Sequence, residues 1–132
     1  MRCLSRFIAS RVFVCAAVVL MLAGCGPRVL EPRGDAQSAR AALEEGLSAW
    51  KSGLPADDFS EPPVIVNDPD WKAARSLRAF EITEEPRLQG THWRVFAHIT
   101  VRGEGQADVS ERVCYAVTLG HPVSIVRGDE LD

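Results

Sequence analysis

Trp93-Arg94-Val95-Phe96-Ala97-His98-Ile99-Thr100-Val101-Arg102 is the stretch from which the fold is read. Trp93, Val95, Ala97, Ile99 and Val101 take every second place, with Arg94, Phe96, His98, Thr100 and Arg102 between them. That period belongs to a strand with one buried face. Val109, Glu111, Val113, Tyr115, Val117 and Leu119 repeat it after Gly103-Glu104-Gly105, which predicts an antiparallel hairpin. A three-residue loop with Gly105 in the left-handed conformation would set Trp93 against Tyr115, Val95 against Val113 and Ile99 against Val109. On the other face Arg94 would meet Cys114, Phe96 would meet Arg112, His98 would meet Ser110 and Thr100 would meet Asp108. A slip by one residue would turn one strand's apolar set to water.

Outward from the hairpin the pattern continues in short pieces. Gly120-His121-Pro122 makes a turn, and Val123 to Arg127 is a last strand before the acidic Asp129-Glu130-Leu131-Asp132. Upstream, Leu77 to Thr83 is a strand with Phe80 and Ile82 on one face and Leu77 out of phase, which predicts a bulge. Glu84 to Gly90, with Pro86, reads as a turn. Val64-Ile65-Val66 is β-branched, and Asp68 before Pro69 caps a single helical turn. The long helix comes first. Ala39, Ala42, Leu43, Gly46, Leu47 and Trp50 form one stripe at three-then-four spacing, Asp35 or Ser38 caps the start, and Gly53 before Leu54-Pro55 stops it. One helix followed by alternating strands and short turns predicts an α+β domain over residues 36–132. In it the helix lies across one face of a four- to five-stranded antiparallel sheet, the face bearing Trp93, Val95, Tyr115 and Val117.

The N-terminal residues have another character. Arg2, Arg6 and Arg11 precede the apolar run Val12 to Leu22, with no acidic residue, and Leu22-Ala23-Gly24-Cys25 follows. A membrane span needs about 20 apolar residues, and this run has about half of that. The layout is that of a cleaved export signal, and Leu22 to Cys25 resembles the lipobox of bacterial lipoproteins. The resemblance implies removal of residues 1–24 and acylation of Cys25, with the lipid bilayer as a partner. Gly26 in place of an aspartate after the cysteine favours the outer membrane. Residues 25–35, broken by Pro27, Pro32 and Gly34, then form a tether.

Charge and cysteines narrow the function. With residues 1–24 removed, 12 Lys and Arg remain against 18 Asp and Glu. Nucleic acid is disfavoured as a partner, because its binding needs concentrated positive charge. Cys3 and Cys15 leave with the signal and Cys25 carries lipid, so Cys114 alone cannot form a disulfide within the domain. In a strand it reads as a small buried hydrophobe rather than a nucleophile.

Beyond the lipobox, Trp50-Lys51-Ser52-Gly53, VIVNDPDW (64–71) and VSIVR (123–127) give the chain a resemblance to small bacterial lipoproteins of cystatin-like or nuclear-transport-factor-like shape. The resemblance implies a shape and a location, with no enzymatic motif.

Few chemical constellations survive inspection. Asp68 and Asp70 begin like a calcium loop, but Trp71-Lys72-Ala73 follows where further oxygen ligands and a glycine belong. His92 and His98 share a strand face about 20 Å apart, too far to hold one ion. No zinc spacing, phosphate loop or nucleophile elbow is present, and neither metal nor cofactor is expected. An asymmetry remains: Arg94, Phe96, His98, Thr100 and Arg102 lie beside Arg112 on the face away from the core. This basic, partly aromatic strip on an acidic molecule reads either as the wet side of a sheet or as a surface for an acidic envelope protein or cell-wall polymer. The alternative is a pocket with His98 as acid or base, oriented by Asp108 if that side chain reaches it. The pairing of His98 with Ser110 favours binding over catalysis.

Overall fold

A computed structural model describes residues 33–59 and 64–128. Residues 1–32, over which the export signal, Cys25 and most of the tether are expected, lie outside the described residues, as does the acidic tail after Gly128. Helix α1 (Ala36–Lys51) begins where Asp35 accepts a hydrogen bond from Ser38 N at 2.8 Å. This bond lowers the Asp35 carboxyl below the ordinary carboxylate value. The helix closes at Ser52, before Gly53 in the left-handed region at φ 92°. Then come a 3-10 turn (Ala56–Asp58), β1 (Val64–Asn67), the one-turn α2 (Pro69–Lys72), β2 (Ser76–Ile82), β3 (Arg87–Gln89), β4 (His92–Arg102), β5 (Val109–Thr118) and β6 (Val123–Gly128). Among the described residues no helix is long and apolar enough to cross a membrane.

The sheet is mixed and curled, with order β1-β6-β5-β4-β2, which corrects the purely antiparallel expectation. β1 pairs in parallel with β6, Val64 opposite Val123 and Asn67 opposite Val126. A β-branched tripeptide carries no mark of direction, and the strand paired beside it is the most distant in sequence. β3, expected as part of a turn, pairs with the start of β4 on the side where β2 pairs further along. The bulge anticipated from the phase of Leu77 lies between Leu77 and Ala79.

The core lies between α1 and one face of the sheet. Ala39, Leu43, Leu47 and Trp50 are buried with Val95, Ala97, Ile99, Val101, Val113, Tyr115 and Val117. Trp93, expected among them, is half-buried at the margin of this cluster. Gly46 allows the close approach: a side-chain carbon there would come 2.9 Å from Ile125 Cδ1.

The hairpin register differs by two residues from the expectation. Trp93 faces Val117, Val95 faces Tyr115, Ile99 faces Glu111 and Val101 faces Val109. The connection is longer than three residues because Gly103 to Gln106 forms the turn, closed by Gln106 N donating to Gly103 O at 3.1 Å, and pairing resumes only at Val109. Gly105 is left-handed, at φ 66°. An even slip keeps every side chain on its face and changes only its neighbour.

Candidate functional site

The face of the sheet away from α1 carries Arg94, Phe96, His98, Thr100 and Arg102 from β4 and Arg112 from β5. Strand alternation puts them there, because Val95, Ala97, Ile99 and Val101 are in the core. Phe96 is the centre of the strip. The Arg112 guanidinium lies 4.1 Å from its ring centroid and that of Arg94 lies 5.4 Å away, both within cation–π range. Arg112 reaches Phe96 diagonally, since its direct partner is His98, and long side chains bridge such diagonal offsets.

Carboxylates lace this strip more than the sequence suggests. Arg112 pairs with Glu84, which also lies 3.7 Å from Arg87. Arg102 Nε donates to Asp108 Oδ1 at 2.5 Å, so Asp108 turns to Arg102 and not to Thr100 as expected. Thr100 instead shares a 2.8 Å hydrogen bond with Ser110. His98 is exposed, between Arg112 on β5 and Glu81 on β2. Glu81 is a carboxylate neighbour that hairpin reasoning missed, because it comes from the other flanking strand.

A second cluster lies on the core side and was only half visible in the sequence. Asp68 is 1% exposed. Its Oδ1 caps α2, accepting from Asp70 N at 2.8 Å and Trp71 N at 3.1 Å. Its Oδ2 accepts from the Tyr115 hydroxyl at 2.7 Å. Arg127 lies 3.6 Å from Asp68 and bonds to Asp70 and Glu111, and Arg75 holds the other oxygen of Asp70 at 2.7 Å. Burial, followed by the charge of Asp68, pushes the Tyr115 phenol well above its ordinary value. Burial opposes the charge on Arg127, but the bonds to Asp70 and Glu111 outweigh it and raise the guanidinium's value. The aspartates that resemble the start of a calcium loop are thus occupied by protein donors. The cap was legible from Asp68-Pro69; its tie to Tyr115 and Arg127 depends on the parallel placement of β1, for which the sequence has no signal.

A cleft of about 590 Å³ opens between the end of α1, residues 52–57, the end of α2 and the start of β2. Lys51, Lys72, Arg75 and Arg78 surround it, and His98 is not among its lining residues. Trp50 and Trp71 stack beneath at 5.5 Å and 7°. Their indole N–H groups donate to Arg75 O at 2.8 Å and Leu54 O at 2.7 Å. With rings buried and donors satisfied, the pair is packing rather than a ligand platform. Cys114 is half-buried on the outer face beside Phe96. Comparison with known proteins adds nothing to this geometry: no family model, curated protein or solved structure matches the chain.

Proposed function

We propose that this protein is a membrane-anchored cell-envelope lipoprotein, held by an acylated Cys25 and facing the periplasm, whose outer sheet face is a non-catalytic binding surface. Its partner is an acidic envelope protein or cell-wall polymer. The observation that carries this reading is Phe96 held between two guanidiniums on the face opposite the core. An aromatic ring flanked by cations offers contact area and charge to an anionic chain. Two further observations favour binding over acid–base chemistry: His98 is exposed, and the large cleft lies elsewhere. The helix across a curled sheet supports a cystatin-like or nuclear-transport-factor-like fold, with the parallel edge strand as a departure.

Crosslinking in intact envelopes tests the reading. Replacing Arg94, Arg102 and Arg112 together by Gln should leave the fold intact and lower recovery of the crosslinked species. An effect confined to His98→Ala would favour the pocket reading instead. For the anchor, Cys25→Ala should abolish acylation and signal cleavage; a variant processed normally and found soluble would remove that part of the proposal.

A further inference from the structure

The cleft at the close of α1 gathers cations that the fold itself does not use. At about 590 Å³ it has the size of a small-molecule site, about 300–1,000 Å³. Lys51, Lys72, Arg75 and Arg78 line it against one carboxylate, Asp57. Arg75 is held by Asp70 at 2.7 Å, and Lys72 donates to the uncharged Asn67 Oδ1 at 3.1 Å. Lys51 and Arg78 are exposed, with neither an ion pair nor a hydrogen bond among the described residues, and Asp57 pairs with none of the four. The arginines of the outer strip differ, since Asp108 holds Arg102 and Glu84 holds Arg112. Lys51 stands in the last turn of α1, where a cation offsets the helix dipole. Arg78 belongs to no helix and has no such use.

Two departures from regular backbone shape the wall that carries these cations. The bulge between Leu77 and Ala79 leaves Arg78 without a partner on β4. Strict alternation after the buried Leu77 would send Arg78 to the outer face of the sheet; with the bulge, both residues line the cleft. Ala74 also lines it and, at φ 58°, is the one non-glycine residue in the left-handed region among the described residues. There it turns the chain from α2 into β2, with Ala74 N donating to Trp71 O and Arg75 N donating to Asp70 O, both at 3.0 Å. A glycine would make this turn without steric cost, whereas a side chain is strained in it. Residues held in such conformations concentrate at ligand sites.

We propose that this cleft binds a small organic polyanion, a compact molecule with two or more carboxylate or phosphate groups. Lys51 and Arg78 take its acidic oxygens, and Lys72 and Arg75 add charge beside them. A guanidinium offers such oxygens a planar fork, which suits Arg78 to the contact. Leu54, Pro55 and Ala56 give the body of the ligand an apolar wall. Trp50 and Trp71 stay packed beneath and report on the site, because their indoles donate to Arg75 O and Leu54 O in its lining. The cleft is separate from the Phe96 strip, and its ligand depends neither on the strip's partner nor on the lipid anchor.

The test uses the whole protein as cells process it, purified in a non-ionic detergent, and follows amide and indole signals in proton–nitrogen correlation spectra. Citrate and fructose bisphosphate are the carboxylate and phosphate probes, with sodium chloride at matched ionic strength as the control. Either probe should shift the amides of residues 51–57 and 72–78 saturably, together with the indole signals of Trp50 and Trp71. Lys51→Gln with Arg78→Gln should weaken binding about ten-fold or more, as loss of charge-assisted contacts does, in spectra otherwise unchanged. Arg94→Gln with Arg112→Gln should leave it unaltered. A response to citrate alone or to the bisphosphate alone supports the site and assigns its acidic group. Shifts from both probes no larger than those from sodium chloride, shifts centred on residues 94–98 instead, or equal affinity in the Lys51, Arg78 variant overturns the site. None of these three outcomes bears against the strip or the anchor.

Discussion

Severing Asp68 from Tyr115 should destabilise the fold far more than two polar groups usually do. The bond is 2.7 Å long, and both residues are essentially excluded from water, at 1% exposure each. Tyr115→Phe removes a hydrogen bond to a charged acceptor and leaves Asp68 its two backbone donors and Arg127, which sets the cost at about 1.5–3 kcal/mol. Asp68→Ala removes the cap, worth about 1 kcal/mol, and strands the buried Tyr115 hydroxyl and part of the Arg127 pairing. The total is about 3–5 kcal/mol, the usual cost of leaving a buried charge partner alone. The double variant should cost less than the sum by about 1.5–3 kcal/mol, the energy of the shared bond. Urea unfolding of the four proteins at neutral pH, followed by far-ultraviolet circular dichroism, measures this cycle. A coupling below about 0.5 kcal/mol, the scatter of independent sites, would refute the view that this bond pins α2 and β1 to the sheet.

Tyr115 is the one tyrosine in the chain, so tyrosinate absorbance reports it alone. Its folded pKa is raised above the ordinary value of about 10 by burial and then by Asp68. The unfolded chain therefore loses this proton first, and stability should be intact below about pH 10 and fall as pH rises above it. The absorbance should appear only with unfolding; ionisation of Tyr115 in a protein still folded by circular dichroism would contradict this. Leu47→Ala should cost about 2–5 kcal/mol by chemical denaturation, since Leu47 is 2% exposed, while Glu44→Ala on the exposed side should change little. Gly46→Leu should cost about 1–3 kcal/mol through overpacking against Ile125, and Ile125→Ala should recover part of it in the double variant. No recovery would mean that the helix does not approach β6 at Gly46.

The sequence shows which side of each long element is apolar, and so the helix stripe, the alternation of β4 and β5 and the cap at Asp68 are all legible in it. Direction and distance are less so. The pairing of β1 with β6 joins Val64 to Val123 across nearly the whole domain, and no local pattern encodes a partner that far away. β3 escaped because Arg87-Leu88-Gln89 is exposed on all three residues, and a strand without a buried side has no alternation to detect. From the sequence Arg127 is only the last residue of the closing strand, with nothing to mark its side chain as buried. Its side chain is 6% exposed, because the carboxylates of Asp70 and Glu111 replace the water that would otherwise solvate it.

The two-residue register difference shows why the strip's membership was readable while its electrostatics were not. An even slip preserves the face, so Arg94, Phe96, His98, Arg102 and Arg112 remain together whichever hairpin loop forms. It does move Arg112 opposite His98 and frees Asp108 for Arg102. The ion pairs that result involve arginine side chains 47% and 48% exposed, and pairs so accessible contribute about 0–1 kcal/mol each. Glu84 and Asp108 are thus replaceable at small cost by carboxylates or phosphates of an incoming partner. They hold the guanidiniums in place without neutralising the strip against a denser anionic chain. Binding built on such exchange is screened by salt. The crosslinked species should therefore fall away between low and high ionic strength in the unaltered protein and depend little on salt in the Arg94, Arg102, Arg112 triple Gln variant. Equal salt dependence in both would place the contact on another face of the domain.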